Sequence, residues 1–432
     1  MQRHRSRWAA AGCLLIAGLI LGSPAQAQTI DPSDPAAGPA AAAQQPPAVT
    51  VQVTSPKPTF DIYGFAMLDM GHNFTQIHPD WSDTLRLTKL PAYKDQYGQD
   101  NSTFSGVRQS RLGFKSSTPT DLGDLKTIFE FELFGTGVDA GQTTFRLRHA
   151  WGELGQFGAG QSWSPFTDPD AFPNSLEYWG PTGLAFYRNV QIRWTPINDK
   201  HKSFMVALER PGASGDGGVY ADRIELQNIK PRFPVPDFSA AFKENASWGY
   251  IRIAGQLRYI KWDDVLTTDQ FDLSGSATGW GINLSSNVNA GKHDVLRLEF
   301  ISGAGIQNSM NDSPVDIGLK LQPGNTVTPI TGEAVPIETV TAFLDHSWND
   351  KTTTAVGYSM QNNQNTDGQA ADAFHIGHYF LGNVLYSPVK NAMFGGEFQW
   401  GRRENNSDGF HSDGVKIQFS FKYNFSVKLG GQ

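Results

Sequence analysis

The sequence predicts an all-β protein, a 16-stranded antiparallel transmembrane β-barrel with one loop folded inward as a constriction. Three observations lead there. From Phe60 onward, apolar and polar residues alternate with period two, the pattern of strands with two unlike faces. The connections between these stretches run alternately long and short without exception. The 432 residues are 39% hydrophobic but only 18% charged, against about 25% charged in a soluble domain. A helical membrane protein is excluded, because no apolar run of about 18 residues occurs beyond the first 30. A disulfide scaffold is excluded by the single Cys.

The N-terminal elements set the compartment. Arg3, Arg5 and Arg7 precede an apolar stretch from Trp8 to Gly22, and Ala25-Gln26-Ala27 reads as a cleavage site, so residues 1–27 form a signal peptide. Cys13 precedes the apolar run's end and is a spectator. Loss of three arginines takes the formal charge from −7 to −10, which does not suit a nucleic-acid partner. Residues 28–59 hold seven prolines among alanines and read as an extended periplasmic leader. The barrel spans 60–425, and 426–432 is a short tail.

Candidate strands fall at 60–72, 107–118, 124–135, 143–153, 156–163, 188–197, 200–210, 235–244, 248–262, 277–290, 292–303, 337–348, 351–362, 373–387, 390–403 and 413–425. The last shows the alternation most clearly. Val415, Ile417, Phe419, Phe421, Tyr423 and Phe425 point one way, and Lys416, Gln418, Ser420, Lys422 and Asn424 the other. Long loops lie at 73–106, 136–142, 164–187, 211–234, 263–276, 304–336, 363–372 and 404–412, with tight turns such as Leu154-Gly155 and Ala290-Gly291 between them. In an antiparallel barrel every second connection lies on the same rim, so the rhythm separates an outer rim from a periplasmic one. Sixteen strands leave a lumen wide enough for water, and closure satisfies every backbone group in lipid.

If the apolar face meets lipid, parity assigns the lumen. Arg111 and Lys115 face inward opposite Leu112 and Phe114; Lys126, Glu130 and Glu132 opposite Leu125, Thr127, Phe129, Phe131 and Leu133. Arg146 and Arg148 face inward, with Phe145, Leu147 and Trp151 outward. Arg193, Arg252, Arg258, Arg297 and Glu299 complete the inward set, with Glu397 as a further acid. No arginine falls at mid-strand on the lipid face, where it would cost about 2–4 kcal/mol. Arginines lining a pore favour anions, and the planar guanidinium suits two-point contact with carboxylates. The first strand is ambiguous, since Tyr63, Phe65 and Met67 compete with Ile62, Ala66 and Leu68 for the outer face.

The loop at 164–187 carries Phe166, Asp168, Asp170, Phe172, Glu177, Tyr178 and Trp179 among prolines. So many aromatics suit a loop folded into the barrel, with its acids facing the arginines. Asp61-Ile62-Tyr63-Gly64-Phe65-Ala66, the segment from Arg146 to Glu153, and Gly160-Gln161-Ser162-Trp163 before this loop look like a Gram-negative general porin. More narrowly, they resemble the DcaP-like porins. The resemblance implies a homotrimer in the outer membrane, an inward-folded third loop and passage of small organic diacids. It would place Arg146, Arg148, Arg193, Asp168 and Asp170 at the constriction. Two features depart from that family: the leader is Pro-rich where a helix is usual, and Phe425 is followed by seven residues, so either Phe425 or Leu429 closes the outward apolar series.

No P-loop, G-x-S-x-G, H-E-x-x-H or EF-hand spacing occurs. His375 and His378 would face opposite ways, and His149 falls on the lipid-facing parity. The expectation is a non-enzyme without cofactor or metal, in contact with outer-membrane lipid. A diffusion channel for small anionic solutes leads, ahead of a weakly selective porin, a barrel-borne lipid hydrolase and a purely structural or adhesive surface protein.

Overall fold

The computed structural model describes residues 57–218, 226, 228–266 and 268–430. The expected signal peptide and most of the leader lie outside the described residues. Sixteen strands form the wall: β1 Thr59–Asn73, β2 Arg111–Thr120, β3 Gly123–Phe134, β4 Thr143–Leu154, β5 Phe157–Trp163, β6 Arg188–Asn198, β7 Lys202–Glu209 and β8 Asp237–Ala246. They continue as β9 Gly249–Asp264, β10 Gly275–Asn289, β11 Asp294–Ala304, β12 Pro336–Asn349, β13 Thr352–Asn363, β14 Phe374–Val389, β15 Ala392–Asn405 and β16 His411–Gly430. Each pairs antiparallel with the next. β16 then pairs with β1 from Thr59↔Gly430 to Asn73↔Lys416, closing the barrel.

β9 shows why the sheet must close around water. Ile251, Ile253 and Leu257 are 56%, 48% and 56% exposed, while Arg252, Gln256 and Arg258 between them are 5%, 2% and 4% exposed. An apolar surface outside and a charged surface inside is stable only where lipid covers the former. Gly155 makes the tight turn between β4 and β5, with φ +58°, a conformation glycine adopts without steric cost. The short turns share the rim with Thr59 and Gly430. The long connections leave from the opposite rim.

The structure corrects the sequence reading at three places and decides a fourth, the first strand, that the sequence leaves open. β16 does not end at Phe425: residues 426–430 continue it and pair with β1, so most of the expected tail is wall. The loop expected at 404–412 shrinks to the residues between Asn405 and His411. Tyr63 reaches Glu130 by a 2.8 Å hydrogen bond across the lumen face, so Tyr63, Phe65 and Met67 point inward, and Phe60 and Leu68 are exposed outside. Between β3 and β4 the register shifts, Glu130 pairing with His149 and Phe131 with Leu147. Arg148 is the extra residue, so parity reverses there. His149 and Trp151, expected toward lipid, are 7% and 6% exposed and lie on the lumen side. Gln161 donates to the carbonyls of Leu147 and Arg148 at 3.3 Å, satisfying acceptors that the bulge frees.

Among the described residues, long connections besides loop 164–187 fold into the lumen, where only that one was expected. Loop 74–110 sends in Leu85, Leu87 and Leu90, which pack on Phe343, Phe374, Tyr379 and Leu381. Loop 305–335, which carries a hairpin of Ile317–Leu321 and Ile330–Ala334, places Ile306 against Phe166 of loop 164–187. Glycines on the inner wall make room. A Cβ on Gly281 would stand 2.7 Å from Ile306, and one on Gly401 2.3 Å from Leu87.

Candidate pore constriction

Loop 164–187 starts at β5 and sweeps along the inner wall. Ser164 donates to Glu209 of β7 at 2.7 Å, and Arg252 of β9 donates to the carbonyls of Pro165 and Thr167. Asp168 accepts from Tyr250 at 2.8 Å and Ser285 at 2.6 Å; Asp170 pairs with Lys243 at 2.5 Å. At the far side Glu397 of β15 accepts the backbone N–H groups of Leu176 and Glu177 at 2.7 and 2.8 Å, and Glu177 pairs with the buried Lys416 at 2.8 Å. The return limb donates from Gly183 to Ser359 at 2.8 Å and from Ala185 to Glu299 at 3.1 Å. Buried backbone groups need such partners. The polar residues of β7 to β16 supply them, which is why this loop stays inside.

That anchoring redistributes the predicted site residues. Arg252, Arg258, Arg297 and Glu299 face inward as parity requires, but they hold loops. Arg258 binds Asp237 at 3.1 Å, Asp316 at 2.8 Å and the carbonyls of Gly212 and Gly305. Arg297 binds Asp345 at 2.6 Å and the Asp170 carbonyl. Phe166 is fully buried in the packing between loop and wall. Asp168 and Asp170 correct the expectation that the loop acids face the arginines: their side-chain partners are on β8 to β10, several strands along the wall from Arg146 and Arg148. The neutral and cationic donors there left no reason for them to turn back.

The space left by the loops lies against the wall formed by β2 to β6. A cavity of about 580 Å³ is lined there by Arg111, Lys115, Glu130, Arg148, His149 and Tyr178 among others. Its centre is a fan of guanidinium groups around two carboxylates. Glu132 has Arg148 at 2.5 Å, Arg146 at 3.5 Å, Arg111 at 3.6 Å and Arg188 at 3.8 Å. Glu130 has Arg148 at 2.6 Å and Arg111 at 3.7 Å. Guanidinium groups keep their charge in proteins. Four cations therefore face two anions, two positive charges are uncompensated, and Lys115 adds a third. Arg148 is almost fully covered, its side chain 6% exposed, while Arg111 and Arg146 are 25% and 29% exposed to the water of the lumen.

Tyr178 completes the fan from the loop side. It stacks on Phe134 with centroids 3.8 Å apart and planes 5° from parallel, donates to Glu132, and accepts from Arg146 at 3.3 Å. Burial and the Glu132 carboxylate push its phenol above the usual range, so it remains a donor. Trp179 lies over Arg86, which is sandwiched between Trp81 and Trp179 at 4.3 and 4.2 Å and paired with Asp312 at 2.8 Å. This stack ties loop 74–110 to the constriction from the outer side. Beside the arginines, Trp163, Phe172 and Phe186 form an aromatic face, the last two with centroids 5.3 Å apart, and Arg188 lies over Trp163 and Phe186.

Arg193 faces the lumen over Trp151 at 4.4 Å, and Lys126 sits exposed next to the periplasmic turn. Neither joins the fan. Arg188, absent from the predicted set, does join it. It is the first residue of β6, where parity would set it with Val190 and Ile192 toward lipid, yet its side chain is 5% exposed, 3.8 Å from Glu132 and 4.9 Å from Trp163. His149 and Ser162 approach to 3.3 Å inside the lumen, away from the lipid a barrel-borne hydrolase would attack. Among the described residues no group of three or more His, Cys, Asp or Glu could hold a metal.

Comparison with known proteins agrees with this architecture. The model of the DcaP outer membrane protein family matches residues 87–291. The outer membrane channel DcaP of Acinetobacter baumannii is 17% identical, covers 85% of this chain and 97% of its own, and superposes with a TM-score of 0.68. An anion-selective porin from Comamonas acidovorans is 12% identical, covering 86% of this chain and 100% of its own, with a TM-score of 0.53. OmpF of Salmonella typhi is 12% identical, covering 85% and 97%, with a TM-score of 0.52. At these identities the structural likeness establishes the fold. No curated protein matches the sequence.

Proposed function

We propose that this chain, which matches the model of the DcaP outer membrane protein family over residues 87–291, is a passive channel of the Gram-negative outer membrane for small anionic organic solutes, dicarboxylates foremost. The observation that carries the reading is the fan: Arg111, Arg146, Arg148 and Arg188 outnumber Glu130 and Glu132 two to one beside the open cavity. An anion entering there meets a positive field in a narrow, partly dehydrated space, where charge acts more strongly than in bulk water. Arg111 and Arg146 retain exposed donors that a carboxylate can engage, and a second carboxylate on the same solute finds a second guanidinium. The two glutamates do not abolish the field. They let four like charges pack together and hold Arg148 rigid between them.

The assembly we propose is a homotrimer, each barrel a separate channel, with residues 1–27 removed on export and 28–59 left as a periplasmic leader. The support for the trimer is the family resemblance. Planar-bilayer recording of the purified protein in a tenfold salt gradient tests the transport reading. The expected zero-current potential has the sign of anion preference, with succinate producing resolvable block. A potential near zero favours a weakly selective porin, cation preference overturns the anionic reading, and absence of conductance overturns the channel.

A further inference from the structure

The positive surface does not end at the fan. Lys115 lies four residues further along β2 toward the periplasmic turn, with its ammonium 4.5 Å from the centre of the Tyr63 ring. On β16, Lys422 faces the same side as Gln418 and Ser420, and its ammonium lies 4.1 Å from the centre of the Phe65 ring. Arg111 approaches that same ring at 5.2 Å. Phe65 therefore seats two cations. Among the described residues neither lysine has a carboxylate within ion-pair distance. Of the two acids on β1, Asp69 accepts from Ser420 at 2.6 Å and Gln418 at 3.1 Å, and Asp61 stands opposite Lys115 in the register without coming within ion-pair distance of it.

Two ways of holding a cation thus coexist on this wall. Carboxylates hold Arg148 and cancel charge as they do so. Aromatic faces hold Lys115 and Lys422 through the ring quadrupole, which positions an ammonium without neutralising it. Seating Lys422, which has no ion-pair partner among the described residues, on the same ring as Arg111 brings two like charges together. A small anion bridging them relieves the repulsion.

We propose that Lys422, Lys115 and Arg111, seated on Phe65 and Tyr63, form a second anion subsite on the periplasmic side of the constriction. It takes the carboxylate or other small oxyanion of a solute passing to or from the fan. The proposal deepens the anion-channel reading and rests on it. With two subsites in series, an anion leaves the fan toward a waiting positive site instead of into bulk water. Multi-site occupancy of this kind lets a selective pore still conduct.

Sided block in planar bilayers tests it, using the full-length protein and succinate as the probe added to either face. In Lys422→Met the association rate of succinate from the periplasmic face falls by about threefold or more, part of the roughly tenfold and larger gain that focused charge gives. The rate from the loop face and the sign of the zero-current potential stay as in wild type. Lys422→Arg retains wild-type rates, and Phe65→Leu, which keeps every charge but removes the seat, falls between. If Lys422→Met fails to fold, Lys422→Gln carries the same expectation. An anion-selective wild type whose periplasmic rate is unmoved by these substitutions, or moved equally from both faces, overturns the subsite alone. A wild type without anion preference overturns the subsite together with the reading beneath it.

Discussion

The two halves of the lumen wall use the same residue types for opposite ends. On β7 to β16, Glu209, Arg252, Arg258, Arg297, Glu299 and Glu397 are spent on hydrogen bonds and ion pairs to the folded-in loops and to the wall beside them. On β2 to β6, Arg111, Arg146, Arg148 and Arg188 crowd two glutamates and face open space. An inward-pointing arginine is therefore not in itself a pore residue. What separates the halves is whether a folded-in segment reaches the side chain first.

The contrast is broken most severely at Arg258. Arg258→Ala strips Asp237 and Asp316 of their partner in a site where all three side chains are nearly inaccessible, and breaking a buried pair costs about 3–5 kcal/mol. A large fall in the thermal unfolding temperature of the detergent-solubilised barrel, with selectivity unchanged in what survives, is the expected result; a selectivity change would place Arg258 in the permeation path.

Next in size is the double substitution Arg146→Gln with Arg148→Gln. It turns four cations against two acids into two against two, so the anion-to-cation permeability ratio falls by about tenfold, the effect of roughly 1.4 kcal/mol. Reversal potentials in a salt gradient read this directly, and an unchanged ratio would move the constriction elsewhere.

Glu397→Gln keeps one acceptor and sets an NH2 where the other carboxylate oxygen accepts a loop N–H, so one of the two hydrogen bonds to loop 164–187 is lost. The expected outcome is noisier, modestly larger single-channel conductance at constant selectivity, since a buried donor left unpaired costs about 1–3 kcal/mol. A selectivity change of the size seen in the double arginine variant would erase the distinction between the halves. Smallest is Tyr178→Phe, which keeps the stack on Phe134 and loses one hydroxyl. Conductance and selectivity should shift by less than about fivefold, since the two hydrogen bonds lost belong to a neutral group and every charge of the fan remains.

The barrel was legible because lipid imposes a rule that each strand must obey separately. The alternation on β9 and β16 is the direct imprint of water on one face and hydrocarbon on the other. The loops obey no such rule. That loop 164–187 folds inward could be read from its aromatics, but its route could not, since its partners are spread from β7 to β16. Loop 74–110 did carry a signal, the cluster of Leu85, Leu87 and Leu90, which marks a segment packed on the inner wall. The bulge at Arg148 left no trace in the pattern, because one extra residue reverses parity without altering composition. Arg188 and Lys422 were missed for different reasons: the first sits where a loop becomes a strand, the second was placed on the inner face but given no neighbours.

The seam between β1 and β16 has a bearing on how the molecule comes into being. Its register joins Thr59 to Gly430 and Asn73 to Lys416, so the contacts that finish the wall are those most distant along the chain. Loop-closure entropy grows only slowly with separation, but such pairings form late and slowly. Until then fourteen or more strands can be in place with two unpaired edges, each a template for the wrong neighbour. A seam fifteen pairs long answers that hazard: it makes the right closure far stronger than any brief mispairing, and it makes the first and last strands a single structural unit born only when synthesis is over.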